Sequence, residues 1–285
     1  MLLRLRLAAM AVLLLAPSLA EARQARPSPE RRIAAIERAS GGRLGVALMN
    51  SSGRVLLGHR ANERFAMCST FKLLLGAMHA QTAGARTPIW FTRADLVPNS
   101  PYAERSLGNR ERGDMRIGFA AQHMVTESDN TVANLLLRRM GGPEAFTAAM
   151  RRMGDTVTRL DRYEGALNEN ARADPRDTTS PAAMAMSARH YIMGEALHPA
   201  WRNHFRGWLV QSRTGLRRIR AGLPAGWTAG DKTGTCRNAV NDVAFFRTPA
   251  GNEYILAVYH DRPRSTARGE TAIADVARVA AGMVR

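Results

Sequence analysis

A chain of 285 residues, 45% hydrophobic and 23% charged, is long enough for one large or two small domains and has an ordinary globular balance. With only two cysteines, that composition excludes a collagen-like, disordered or disulfide-dense protein. The formal charge of +17 invites a nucleic-acid-binding reading, but aromatics are only 6%, no zinc-finger spacing occurs and Arg is scattered rather than striped. Of the 41 basic residues only Lys72 and Lys232 are lysines, so the two positions where a chain rich in Arg retains Lys call for a specific reason.

Residues 1–22 read as a secretory signal: Arg4 and Arg6 precede an uncharged apolar run from Leu7 to Ala16, then small-x-small cleavage options at Ser18–Ala20 and Ala20–Ala22. The run is too short to span a bilayer, so the mature chain is expected outside the cytoplasm and without a membrane anchor. Export means an oxidising compartment, where Cys68 and Cys236 have only each other to pair with; the alternative is two buried free thiols.

After a polar lead, Ser28-Pro29-Glu30 is a helix start, Ile33, Ile36 and Ala39 give that helix an apolar stripe, and Gly41-Gly42 stops it. Leu44–Met49 and Val55–Leu57 flank Ser51-Ser52-Gly53 as a strand hairpin. Helical periods dominate from Thr70 to about Trp208, interrupted at Gly141-Gly142-Pro143 and Thr179-Ser180-Pro181. Strand signals return in Val240–Phe246 and Tyr254–Tyr259, and Ile273, Val276, Val279, Ala280 and Met283 close the chain at helical spacing. Strands near both ends around a helical block predict an α/β (α+β) fold of two lobes. Residues 27–62 and 210–285 are expected to share one antiparallel sheet with both terminal helices packed on it, and 63–209 to form an all-helical domain.

Both lysines sit in patterns that carry chemistry. Ser69-Thr70-Phe71-Lys72 opens an apolar helix, and positions i and i+3 share a face, so Lys72 can reach Ser69. A serine needs a base to become a nucleophile, and Lys can act as one when its pKa falls, whereas Arg effectively cannot. Gly230-Asp231-Lys232-Thr233-Gly234-Thr235 looks like a strand that a ligand could approach at Gly234, with Lys232, Thr233 and Thr235 offering a charge and two hydroxyls to a carboxylate. Ser128-Asp129-Asn130 lies between two helical stretches. Each pattern alone reads more simply as a helix cap or a solvated turn; together, and in this order, they carry far more weight.

The trio resembles the signature of class A serine β-lactamases and penicillin-binding proteins, and the resemblance runs from about Arg31 to the C-terminus. Arg162-Tyr163-Glu164-Gly165-Ala166-Leu167-Asn168 is similar to the Glu-x-x-Leu-Asn segment of class A β-lactamases, and Arg176–Pro181 to the closing end of their Ω loop, here 162–177. The resemblance implies hydrolysis of the β-lactam ring through an acyl-enzyme. Ser69 is then the nucleophile, Lys72 a proton acceptor or part of a relay with Glu164, and Ser128 the donor to the ring nitrogen. Glu164 activates the deacylating water that Asn168 holds, and the backbone N–H groups of Ser69 and Thr235 form the oxyanion hole. Asn130 would bond the substrate's side-chain amide, while Lys232, Thr233, Thr235 and Arg218 would hold its carboxylate. An Arg162–Asp177 ion pair would close the Ω loop.

A cysteine just before the nucleophile and another just after Thr235 resemble the carbapenem-hydrolysing branch, which implies a Cys68–Cys236 disulfide and carbapenem turnover. Two departures bear on substrate breadth. Asn99, not an aromatic, precedes Ser100-Pro101, with Tyr102 as a candidate replacement, and Gly108–Gly113 looks like a charged insertion. The expected partner is a small β-lactam acting on a periplasmic monomer, with neither nucleic acid nor membrane involved. No cofactor and no metal are expected, since the seven His form no close ligand pair. The rival readings are a penicillin-sensitive D,D-peptidase, which has no need of Glu164, and a β-lactam sensor that acylates and stalls, whose domain would normally need a membrane anchor.

Overall fold

The computed structural model describes residues 27–81 and 87–284. The expected signal segment, 1–22, lies outside the described residues. Helix α1 (Pro29–Ser40) starts where expected: the Ser28 hydroxyl accepts from the Arg31 N–H, Pro29 occupies the first turn, and Gly41 ends the helix at φ 78°. Strands β1 (Arg43–Asn50) and β2 (Val55–His59) form the hairpin, and β3 (Phe65–Ala66) leads to the Ser69–Lys72 segment.

The central block holds α2 (Phe71–Ala80), β4 (Pro88–Thr92), α3 (Pro101–Leu107), β5 (Arg112–Arg116), α4 (Ile117–Glu127), α5 (Asn130–Met140), α6 (Gly142–Arg152), β6 (Thr178–Thr179), α7 (Pro181–Ile192) and α8 (Pro199–Val210). Helix α2 runs through its middle with every residue but Met78 buried. Such a helix has no polar face to expose, so it can only be a core helix. The expectation that 63–209 is all helical needs correction. Strands β4 and β5 pair antiparallel, and so do β3 and β6. The supposed insertion at 108–113 is the turn from α3 into β5, with Gly108 ending the helix at φ 56°. Alternating burial along Arg112–Arg116 has the period of a strand, but with Met115 as its one apolar side chain the segment carries little apolar signal.

Beyond α9 (Ile219–Gly222), strands β7 (Thr228–Cys236), β8 (Ala239–Arg247) and β9 (Glu253–Asp261) precede α10 (Thr266–Met283). The five-stranded sheet is antiparallel in the order β2-β1-β9-β8-β7, so β9 joins the two ends of the chain. Both faces are covered. Leu44, Val46, Phe246, Leu256 and Val258 face Ile33 of α1 and Ile273 and Val276 of α10. Ala47, Val243, Phe245, Ile255 and Ala257 face the central block through Phe65 and Phe71. Each fully buried Val, Leu, Ile or Phe here contributes roughly 1.5–3 kcal/mol. Strand β7 has no further strand partner among the described residues and lies against the turn that carries Ser69.

The Cys68–Cys236 disulfide forms, joining that turn to the end of β7 with Cα atoms 5.7 Å apart. It closes a loop of 168 residues, for which chain entropy sets a ceiling of about 5 kcal/mol. Replacing Cys236 with Ser is expected to lower the melting temperature by about 5–10 °C in calorimetry. An unchanged midpoint would show that the bond adds no net stability.

Candidate functional site

The first wall of the site is a 3-10 turn, Cys68–Thr70, that runs directly into α2. Cys68 sits in left-handed backbone at φ 47°, a conformation a residue with a side chain adopts at a cost. The turn is pinned: the Thr70 hydroxyl lies 2.9 Å from both the Met67 carbonyl and the Tyr259 hydroxyl. Lys72, one turn further on, donates to Ser69 Oγ at 3.0 Å. Gly234 of β7 packs on this turn so closely that a Cβ there would lie 2.6 Å from the Met67 carbonyl. That contact, and not a ligand alone, explains the glycine.

The second wall is the junction of α4 and α5. Ser128 terminates α4 in left-handed backbone at φ 64°, which turns its side chain and carbonyl toward Lys72 and Lys232. Asp129 secures the junction, accepting backbone N–H bonds from Val132, Tyr102 and Ala103 at 2.8–2.9 Å. Asn130 accepts from Lys72 at 2.5 Å and donates to the Pro98 carbonyl at 2.8 Å.

The third wall is β7. Lys232 Nζ donates to Ser128 Oγ at 2.9 Å and to the Thr233 carbonyl at 2.8 Å. Burial, reinforced by the nearby Lys72 charge, pushes the Lys232 ammonium down to about 7. The Thr233 hydroxyl pairs with that of Thr214 at 2.7 Å. Arg218 differs from expectation. Its guanidinium is buried, with every N–H engaged: Nη1 donates to the Gly234 and Asn241 carbonyls, Nη2 to Thr235 Oγ1 and Glu270, and Nε to Glu270. It lines the cleft beside Thr235, whose hydroxyl it orients at 2.7 Å, and has no spare donor for a carboxylate.

The Ω loop forms the floor. Arg162 Nε and Asp177 Oδ2 pair at 2.6 Å, and the other Asp177 oxygen accepts the backbone N–H groups of Asp161 and Arg162. Asn134 of α5 grips the Glu164 backbone on both sides, accepting its N–H at 2.8 Å and donating to its carbonyl at 3.3 Å. The Glu164 carboxylate is thereby held 2.7 Å from Lys72 Nζ and 3.2 Å from Ser69 Oγ, and Asn168 donates to its second oxygen at 2.8 Å. Burial opposes the charge on Glu164, but Lys72, Asn168 and Ser69 outweigh it and hold the carboxyl below its ordinary range. For Lys72 burial prevails over the attraction of Glu164, so its ammonium releases its proton more readily than a free lysine.

The walls enclose a cleft of about 710 Å³ whose lining includes Ser69, Ser128, Asn130, Asn168, Thr233 and Thr235. At its rim stand Asn99, Pro101 and Glu104. Tyr102 does not take the place of a rim aromatic; it turns inward and stacks on His123 with ring centroids 4.0 Å apart. Sequence reasoning missed Asn134, Thr214 and Glu270, whose contacts with Glu164, Thr233 and Arg218 join residues distant in the chain. It also missed the left-handed Cys68 and Ser128, since neither residue type signals that conformation.

Residues 28–283 match the profile of the beta-lactamase enzyme family. The chain is 40% identical over 255 residues to the carbapenem-hydrolyzing beta-lactamase KPC of Klebsiella oxytoca, covering 87% of this chain and 86% of that protein. It is 39% identical over 246 residues to beta-lactamase FAR-1 of Nocardia farcinica, covering 84% of this chain and 77% of the relative. Among solved structures, the class A beta-lactamase reconstructed as the last common ancestor of Gram-negative bacteria superposes with a TM-score of 0.85 at 42% identity, covering 91% of this chain and all of that one. A beta lactamase from Xanthomonas campestris superposes with a TM-score of 0.84 at 38% identity, covering 90% of this chain and 97% of that one. The chain belongs to the β-lactamase enzyme family and is a class A serine β-lactamase.

Proposed function

We propose that this enzyme opens the β-lactam ring of penicillins, cephalosporins and carbapenems through an ester on Ser69 that a Glu164-activated water hydrolyses. The observation that carries this reading is the contact of Ser69 Oγ with both Lys72 and Glu164, at 3.0 and 3.2 Å. Ser69 Oγ attacks the lactam carbonyl carbon and its proton passes to the Lys72–Glu164 pair. The carbon–nitrogen bond breaks, and Ser128, linked to Lys232 at 2.9 Å, delivers a proton to the ring nitrogen. In the second step Glu164 takes a proton from water, the oxygen attacks the ester carbon, and Ser69 regains its proton as the acid leaves. Asn168 presents its amide group to Glu164 and so belongs to the water's binding place.

Asn130 serves the substrate's side-chain amide. Lys232, Thr233 and Thr235 take its carboxylate, with Arg218 positioning Thr235 from behind. Backbone N–H groups of Ser69 and Thr235 form the oxyanion hole. Residues 27–62 with 210–285 supply the sheet side of the cleft, and 63–209 the helical side. The carbapenem reading is supported by the disulfide flanking the site and by similarity to a carbapenem-hydrolyzing relative. The leader-like N-terminus supports export to the periplasm.

Glu164→Ala should acylate with benzylpenicillin and then stall, giving a burst of one equivalent with steady turnover reduced at least a thousandfold; turnover at the parent rate would refute this account of deacylation. A carbapenem mixed with the parent enzyme should leave no lasting adduct on Ser69 in a mass-spectrometric time course, and a persistent adduct would remove carbapenems from the substrate range. Because Lys232 loses its charge at lower pH than a free lysine, kcat/KM should fall as pH rises through an apparent pKa below 10.5. Lys232→Arg keeps its proton and should move that alkaline limb upward by more than one pH unit; an unmoved limb would assign it to another group.

A further inference from the structure

A second cavity, of about 670 Å³, shares no lining residue with the catalytic cleft. One wall is the later part of the Ω loop, with Arg172, Asp174 and Arg176; another is the end of the sheet, with Arg43, Asp261 and Arg262; Glu63 and Arg64 come from the segment before β3. Five arginines thus meet three acids.

The acids are all taken. Glu63 pairs with Arg43 at 2.8 Å and with Arg60 at 3.1 Å. Asp261 stands 3.5 Å from Arg43 and 3.8 Å from Arg262. Asp174 receives Nε and Nη2 of Arg176 at 3.1 and 2.8 Å, and those bonds hold it at about 2, fully ionised near neutral pH. The guanidinium donors are not all taken. Arg64 spends Nη1 on the Val157 carbonyl and Thr178 Oγ1, which fixes it in place and leaves Nε and Nη2 free among the described residues. Among the described residues Arg262 Nη1 and Nη2 make no hydrogen bond, and neither does the Arg172 guanidinium.

We propose that this cavity is a binding site for a small phosphorylated molecule carrying at least two negative charges, held by Arg64, Arg172 and Arg262. Planar guanidinium forks match phosphate oxygens two at a time, and a recess screens such contacts less than an open surface does. The three arginines come from separate parts of the fold, so a bridging anion ties the outer arc of the Ω loop to the sheet. The same loop carries Glu164 and Asn168 on its inner side, and occupancy of the cavity therefore stabilises the loop that deacylation depends on.

The rival explanation is diffuse attraction of anions to a protein of charge +17, and it predicts no dependence on particular arginines. The probe is inorganic pyrophosphate, titrated calorimetrically into the oxidised enzyme at ionic strength held constant with sodium chloride. The parent should bind one equivalent and gain melting temperature. Arg172→Gln/Arg262→Gln should bind at least tenfold more weakly, while Arg31→Gln/Arg32→Gln, at the far end of α1, should bind within twofold of the parent. Both variants alter exposed side chains, and benzylpenicillin turnover without pyrophosphate should match the parent. Absence of saturable binding, equal weakening in the two variants, or parent-like binding by Arg172→Gln/Arg262→Gln would each overturn the proposal.

Discussion

The ammonium of Lys72 has no contact with solvent and must find its compensation inside the protein, and the four oxygens that supply it come from three separate stretches of chain. Ser69 Oγ belongs to its own turn, the Ser128 carbonyl and Asn130 Oδ1 to the α4–α5 junction, and Glu164 Oε1 to the Ω loop. A buried charge without partners would cost several kcal/mol or lose its proton, so each stretch is held to the geometry that Lys72 requires. The interaction that stabilises the site is the one its chemistry uses: Lys72 keeps the nucleophile and the carboxylate within reach, and burial leaves its proton easy to move.

The sheet side of the cleft rests on a second buried electrostatic arrangement. Asp231, next to Lys232, is wholly buried and ion-paired with Arg220, and Asp242 lies behind it with one oxygen accepting the Ile219 N–H. Burial, then the nearby Asp231 charge, drives Asp242 well above the ordinary carboxyl range. There is room for this only because Gly215 has no side chain; a Cβ there would overlap the Asp231 carboxylate. The strand that presents Lys232, Thr233 and Thr235 is therefore held from behind by charge, from the side by Arg218, and at its end by the disulfide.

Much of the fold was legible locally. Ser28-Pro29, the Ser51–Gly53 turn, Gly141-Gly142 and Ser180-Pro181 act through backbone chemistry within a few residues, and each marks the boundary it was expected to mark. The β4–β5 ribbon was not legible, because Arg112-Gly113-Asp114-Met115-Arg116 has the alternation of a strand without its apolar content. In β1 and β9 the central residues read as continuous apolar runs because helices cover both faces, so the period of two is hidden in them.

The sequence by itself determined the chemical inventory: a serine with a lysine one helical turn away, a second lysine followed by two threonines, a loop acid with its asparagine, and two cysteines with no other partner. Those rest on residue type and short spacing, which the primary structure carries in full. Only the tertiary structure decided how the inventory is used. It spent every donor of Arg218 inside the protein, turned Tyr102 away from the rim, placed Asn134 across the Glu164 backbone, and set Cys68 and Ser128 in left-handed backbone. The physical reason is the same in each case: a hydrogen bond or a strained dihedral is settled by partners from 16 to 168 positions away, and nothing in the local sequence encodes where those partners will be.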